Sequence, residues 1–298
     1  MIKFNVLIAA VSILGMLSVQ NADAQSLSTD PDSPVLTWHI FDAPPLMILD
    51  GADKDNGIID GIRHLLQSDL TTLTHEEMPL PYKRFLLYAK EKLNICTPYL
   101  FKTAEREDFL YFSKPVNIFA GLKIIMHKDL YASFGHEPSL SLVDLFKNYE
   151  LRLATNKIRA YSETIDPIVK EYDRLNKVSR HTGSTTQVFR LLSTGRADFM
   201  IDFSYRVPYW AKELGIDPSS YVSIPIKEDS QTVISYAACP KTPWGEKMIA
   251  KINKALAEEV PTQTYLDVLK RWSLDFNDEE LRTLHQQLAS YYKKGPQE

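Results

Sequence analysis

Apolar positions along this chain alternate between runs that suit strands and spacings that suit helices. Val35 to Ile40 reads as a short strand, stopped by Asp42-Ala43-Pro44-Pro45, whose prolines fix an extended turn. From Gly57 to Leu70 the positions Ile58, Ile59, Ile62, Leu65, Leu66 and Leu70 recur at helical spacing. Lys83 to Lys92 is a second helical segment and Leu93 to Leu100 a second strand. Alternation of this kind predicts an α/β unit with a largely parallel sheet.

The pattern then restarts. Leu122 to Met126 is a β-rich run, Leu140 to Tyr149 a short helix, Leu151 to Ala154 a strand and Ile165 to Asn176 a helix. Thr186 to Ser193 is helical, ends at Gly195 as its C-terminal stop, and leads into the strand Phe199 to Ile201. These elements predict a second α/β unit. Thr232 to Ala238 reads as one more strand, and Trp244 to Glu259 and Thr264 to Trp272 as amphipathic helices. Charged Asp278 to Gln287 adds a last helix, after which Lys293 to Glu298 is expected to fray.

The first residues carry an address rather than structure. Lys3 supplies a positive start, Val6 to Val19 an apolar stretch, and Ala22-Asp23-Ala24 a small-residue cleavage site, so residues 1 to 24 read as a secretory signal. The apolar stretch is shorter than the roughly 20 residues a membrane span needs. Residues 25 to 34, QSLSTDPDSP, are polar and proline-containing and are expected to be a disordered lead-in. What remains is long enough for a well-buried core in two domains.

Charge and composition narrow the partners. The net charge of -4 in 298 residues is unchanged by cleavage, because Lys3 and Asp23 leave together, and gives no footprint for nucleic acid or an anionic membrane surface. The sequence has no G-x-S-x-G, H-E-x-x-H, P-loop or G-x-G-x-x-G. Its seven histidines are scattered without metal-ligand spacing, so neither a metal nor another cofactor is expected. Two cysteines, Cys96 and Cys239, read equally as a disulfide in an oxidising compartment or as two buried thiols.

The block CTPYLFKTAEREDFLYFSKP, residues 96 to 115, sets Arg106 just beyond a strand-like run. A guanidinium holds a carboxylate through two parallel charge-assisted hydrogen bonds and stays charged at any working pH, so Arg106 is a candidate anion clamp. Taken alone, TAERED would read as a solvated charge run with Arg106 paired to Glu105, Glu107 or Asp108.

The order of FDAPPL (41 to 46), Gly57 and Gly61 ahead of a helix, CTPYLFKTAERE (96 to 107), FSKP (112 to 115), LLSTGRADFMID (191 to 202) and paired C-terminal helices resembles family 3 of the bacterial extracellular solute-binding proteins. The resemblance covers most of residues 35 to 275. It implies the type II periplasmic-binding-protein fold, an α/β architecture of two lobes with the ligand in the cleft between them. Lobe one would comprise residues 35–120 plus 235–298, and lobe two residues 121–234. The implied function is clamping of a small polar, carboxylate-bearing solute by a periplasmic monomer for ABC-type uptake, with a permease as partner. The alternatives are a ligand-sensing partner of a membrane signalling protein and, further off, a periplasmic dehydratase-like enzyme.

The resemblance also assigns residues. Arg106 matches the arginine that grips a ligand carboxylate, with Thr103 supporting its turn. Asp202 matches the carboxylate that accepts the ligand's ammonium group, although it also suits a cap on a helix starting near Ser204. Phe41 is placed to cover the ligand, whereas Trp38 is left to the core. Tyr99 and Phe101 stand where amino-acid binders have small hydroxyl residues, which narrows the cleft or offers stacking to a different ligand. Arg159 and Tyr161, in the turn after the Leu151 strand, are candidates for a second anion contact. In this architecture the strands bearing Cys96 and Cys239 are sheet neighbours, which favours the pairing of the two.

Overall fold

The structure, a computed structural model, describes residues 27–293 apart from 158, 230 and 274–277. Among the described residues are ten strands and eleven α-helices in two sheets. The first sheet is built from β1 (Val35–Ile40), β2 (Thr74–Pro79), β3 (Ile95–Leu100), β4 (Leu110–Phe119) and, much later, β10 (Val233–Pro240), in the order β2-β1-β3-β10-β4. Its β1, β2 and β3 are parallel, and β10 runs antiparallel to both neighbours. The helices α1 (Ile58–Asp69), α2 (Tyr82–Lys90) and α3 (Ala104–Glu107) connect these strands.

The second sheet takes β5 (Lys123–His127), β6 (Leu153–Asn156), β7 (Val178–His181), β8 (Phe199–Asp202) and β9 (Tyr221–Pro225), in the order β7-β6-β8-β5-β9. Between them come α4 (Lys128–Ala132), α5 (Leu142–Asn148), α6 (Ile165–Asp173), α7 (Thr185–Ser193) and α8 (Val207–Leu214). The same parallel core with one antiparallel intruder recurs, because β5 lies antiparallel to β8 and β9. This is the two-lobe α/β fold that the order of motifs implies. The helices α9 (Pro243–Glu259), α10 (Gln263–Lys270) and α11 (Asp278–Lys293) return to the first sheet, where Trp244, Met248, Ile252, Leu256 and Leu288 join the core of Leu36, Trp38 and Ile59.

Several local choices explain the first lobe. Glycine stands at the start of α1 because a Cβ at Gly57 would fall on the Leu46 carbonyl oxygen. The Asp60 carboxylate, fully buried, accepts the amides of Ile48 and Gly57 at 2.9 and 3.0 Å and pairs with Arg63 at 3.3 Å. Gly61 lies inside α1 rather than ahead of it, and its missing side chain makes room for Val268 of α10. Trp38 is in the core as read from the sequence, with no exposure, and donates its indole N–H to His75 Nδ1 at 3.2 Å.

One feature of the sequence reading changes. Residues 27–34 are not a disordered lead-in, because the Ser28 and Asp30 carbonyls accept the backbone and side-chain N–H groups of Asn94, and the Ser33 carbonyl accepts the Trp244 indole N–H at 3.1 Å. Polar composition alone hid this docking, which uses backbone acceptors. The secretory signal read from the sequence at residues 1 to 24 lies outside the described residues. Cys96 and Cys239 are joined in a disulfide with a Cα–Cα distance of 4.3 Å, linking β3 to β10.

The chain passes between the sheets twice, from β4 to β5 and from β9 to β10. The crossovers touch at Gly121, where a Cβ would fall on the backbone carbonyl of Gln231. Side chains also join the two lobes directly. Lys123 at the start of β5 pairs with Glu280 of α11 at 2.6 Å, and Lys212 of α8 pairs with Asp53, in the loop before α1, at 2.6 Å. Tyr209 of α8 packs edge-on against Trp272, with ring centroids 5.3 Å apart.

Candidate ligand cleft

The first lobe carries a row of aromatic rings where β1 and β3 end side by side. Phe41, just past β1, lies 6.4 Å from Tyr99 and 6.2 Å from Tyr82, and Tyr99 lies 5.3 Å from Phe101 and 6.0 Å from Phe119. Behind Phe41 sits His39, stacked between Phe41 and Phe85, with its ring nitrogens bonded to Thr97 Oγ1 at 3.2 Å and the Leu80 carbonyl at 3.0 Å. Burial pulls the His39 pKa down to about 4, so the ring is neutral at pH 7 and fixes the position of Phe41.

Arg106 sits on the short helix α3, whose first turn Thr103 caps by accepting the Arg106 amide. Its Nη1 donates to the Phe101 carbonyl at 2.5 Å, and its guanidinium carbon lies 5.4 Å over the Tyr82 ring. The acids beside it are taken by lysines, Glu105 by Lys90 at 3.6 Å and Glu107 by Lys102 at 3.2 Å. Among the described residues Arg106 therefore forms no ion pair, unlike the surface pairing that an isolated TAERED suggests. It is half-buried, on the helix whose Thr103, Ala104 and Glu107 line the cleft described below, but does not line that cleft itself.

The second-lobe wall centres on Asp202 at the end of β8, 1 % exposed. Its Oδ1 receives the Phe203 amide at 2.8 Å and Arg159 Nη2 at 3.1 Å, with Arg206 Nε 3.6 Å away. Asp202 is not the cap of the following turn, a 3-10 turn over Ser204–Arg206 whose cap residue is Phe203. Arg159 also lies 5.5 Å over the Tyr161 ring, and the Tyr161 hydroxyl is 2.5 Å from Thr155 Oγ1. Burial pushes the Tyr161 phenol up to about 12 and raises Tyr99 and Tyr205 as well, so all three are neutral hydroxyls. Burial alone would weaken the charge on Arg206, but Asp202 and the Tyr205 phenol reverse that and hold the guanidinium above its usual pKa.

The two walls meet. Tyr205 lies 5.2 Å from Phe119 and 5.4 Å from Phe203, which continues the aromatic row from one lobe into the other. A cleft of about 650 Å³ opens beside this row, lined by Phe101, Thr103 and Glu107 of lobe one, Tyr161 and Phe203 of lobe two, and the second crossover at Gln231. Of the residues singled out in the sequence, Phe101 and Tyr161 line this space, whereas Arg106 and Tyr99 do not. Arg159 and Asp202 line a small neighbouring cavity of about 10 Å³, and Phe41 with Tyr82 lines a separate recess of about 420 Å³.

Tyr82, Phe203, Tyr205 and Arg206 escaped the sequence reading. The signal for Arg206 was its position four residues after Asp202, a spacing that brings charges together on a helix turn. No cluster of His, Cys, Asp and Glu suited to a metal occurs among the described residues, and no described helix is long and apolar enough to cross a membrane.

No family model and no curated protein matches the chain. Solved structures do. The chain is similar to an ancestral cationic amino-acid solute-binding protein at 19 % identity, covering 80 % of this chain and 95 % of that one with a TM-score of 0.61. It is similar to the probable amino-acid ABC transporter extracellular-binding protein ytmK of Bacillus subtilis at 18 % identity, covering 81 % and 97 %, with a TM-score of 0.60. It is also similar to the periplasmic VFT2 domain of Bordetella pertussis BvgS at 16 % identity, covering 81 % and 94 %, with a TM-score of 0.54. At these identities the likeness establishes the two-lobe fold of periplasmic binding proteins. These neighbours are described as solute-binding proteins and a periplasmic domain rather than as enzymes.

Proposed function

We propose that the protein is an extracytoplasmic solute-binding protein of the family 3 type, exported by the signal at residues 1 to 24, which closes its lobes on a small carboxylate-bearing solute as a monomer and delivers it to an ABC permease. The two binding lobes are residues 35–120 plus 235–298 and residues 121–234, with residues 27–34 docked on the first. One observation carries the reading: a cleft walled by both lobes and a crossover strand shares Tyr161 with the small cavity that Arg159 and Asp202 line. Two guanidinium groups meet the single carboxylate of Asp202, and Arg106 has its neighbouring acids engaged elsewhere. A surplus of planar cations with neutral phenols beside them suits a carboxylate.

In this reading Arg106 clamps the carboxylate, Arg159 and Tyr161 add a second anion contact, and Phe41, Tyr99 and Phe101 cover the apolar part of the solute. Hinge motion about the two crossovers encloses it. A second reading, ligand sensing for a membrane signalling protein, draws on the likeness to a histidine-kinase sensor domain at 14 % identity and a TM-score of 0.53. Thermal-shift screening against amino acids, dicarboxylates and aromatic acids, followed by calorimetry on Arg106→Ala, tests the function. Hits that bind the alanine variant as well as the parent rule out the clamp. Small-angle scattering that shows no compaction on binding rules out closure.

A further inference from the structure

The lobes also touch at an edge whose residues take no part in lining the cleft. In α8, Val207, Trp210 and Ala211 bury into the second lobe, while Tyr209 and Lys212, three residues apart, reach across to the first. Lys212 Nζ donates to both carboxylate oxygens of Asp53 at 2.6 Å and stands 5.5 Å over the Trp272 ring, which Tyr209 meets edge-on. None of these four residues lines the space bounded by Phe101 and Tyr161.

The first-lobe half of this contact is held from within. Trp272 donates its indole N–H to the Asn56 carbonyl at 2.9 Å and Arg271 donates to the Gly57 carbonyl at 3.2 Å, so the end of α10 is fixed to the loop that carries Asp53. That loop is closed by the Asp55 amide on the Ile48 carbonyl at 2.9 Å and tied to α1 by the buried Asp60 carboxylate, which accepts the Ile48 and Gly57 amides. Asp53 and Trp272 therefore present one preformed surface to α8. An ion pair at a solvated edge is weak alone, and so is a single cation over a ring. Here one lysine makes both contacts beside an aromatic pair, and its first-lobe partners are already ordered.

We propose that Tyr209 and Lys212 of α8 with Asp53 and Trp272 form a latch that keeps the lobes together at this edge without any solute, so that closure starts from lobes already in contact. The proposal goes beyond the solute-binding reading, because it concerns the free protein. Tryptophan accessibility reads the latch: Trp38, Trp210 and Trp244 are 0, 2 and 1 % exposed inside their lobes, whereas Trp272, 8 % exposed, is covered in part by α8.

The test uses the full chain, refolded from denaturant to strip bound solute, at low salt. Lys212→Asp and Asp53→Lys each set like charges against one another across the edge, and each is expected to raise the acrylamide quenching constant by about twofold and to enlarge the radius of gyration in small-angle scattering. The swapped protein Asp53→Lys/Lys212→Asp restores opposite charges and is expected to return both readings toward the parent, which a merely structural role for either residue does not predict. In a Trp272→Phe background the quenching change should vanish, while the scattering change remains. The crossovers and the Lys123–Glu280 pair still join the lobes in every variant, and cooperative melting checks that each lobe is folded. Single variants with the quenching and radius of the parent would overturn the latch, and so would a swapped protein as open as the single variants. No solute enters the measurement, so the latch can fail while solute binding stands, and a protein that binds no solute can still be latched.

Discussion

The disulfide between Cys96 and Cys239 closes a loop of 143 residues that contains both crossovers and the whole second sheet. Cross-linking a chain removes conformations chiefly from the unfolded ensemble, and the loss grows with the logarithm of the loop. For this loop the chain-entropy relation gives about 5 kcal/mol at 25 °C. Both cysteines are fully buried, so replacing them with alanine also removes packing atoms. The Cys96→Ala/Cys239→Ala protein should therefore unfold at lower urea concentration than the oxidised parent. With a slope near the upper end of the usual range, about 3 kcal/mol per molar, the midpoint moves by roughly 1.7 M. The reduced parent separates the two causes, because it keeps the sulfur atoms and loses only the bond. Reduction should reproduce most of the shift. If reduced and oxidised parent share a midpoint, the cross-link contributes nothing and the entropy argument is refuted.

Three further outcomes can be checked. The pKa of His39 falls from 6.5 to about 4 on folding, so between those values the unfolded chain binds more protons. Stability is then complete above pH 6.5 and declines by about 3 kcal/mol as the pH falls to 4; His39→Gln should flatten that part of the pH profile of the melting temperature, and an unchanged profile would contradict it. Gly121→Ala places a methyl on the Gln231 carbonyl where the crossovers touch, and backbone must shift to admit it. A loss of about 1–3 kcal/mol is expected in denaturant melts, and full stability would show that the approach is looser. Lys212→Ala removes the pair with Asp53 and a cation contact with Trp272 across the lobes. Half-exposed pairs contribute about 0.2–1 kcal/mol, so ligand affinity should weaken by no more than about fivefold, with a wider average shape by small-angle scattering; a larger radius is the reading that matters, and its absence would remove the pair from closure.

Strands inside a sheet were legible in the sequence, while strands at its edges were not. The runs in β1, β3, β5 and β8 are almost wholly buried, and their apolar residues announce them. The edge strand β2, THEEMP, is half exposed, and so is the edge strand β7, VSRH; polar residues there serve to blunt an open edge. The strand β4 was hidden by Pro115, which reads as a break. It is tolerated because β4 is also an edge, and Pro115 faces Tyr236 where the register of β10 shifts. At the site, the end of β8 was found from its order of residues. Arg206 was not: its spacing of four from Asp202 is a signal of proximity, but the spacing alone leaves open whether the side chain points to water or back at the carboxylate.

That last geometry decides what the cleft asks of a ligand. The resemblance to family 3 solute-binding proteins implies, for the carboxylate at the end of β8, the role of acceptor for an amine. Two arginines from different segments, one after β6 and one after β8, stand against one of its oxygens, Oδ1. Arg159 keeps an Nε–H without a hydrogen-bond acceptor, whereas the Nε of Arg206 faces Asp202 Oδ1 at 3.6 Å, so a role that position suggests for Asp202 depends on side chains from two other segments.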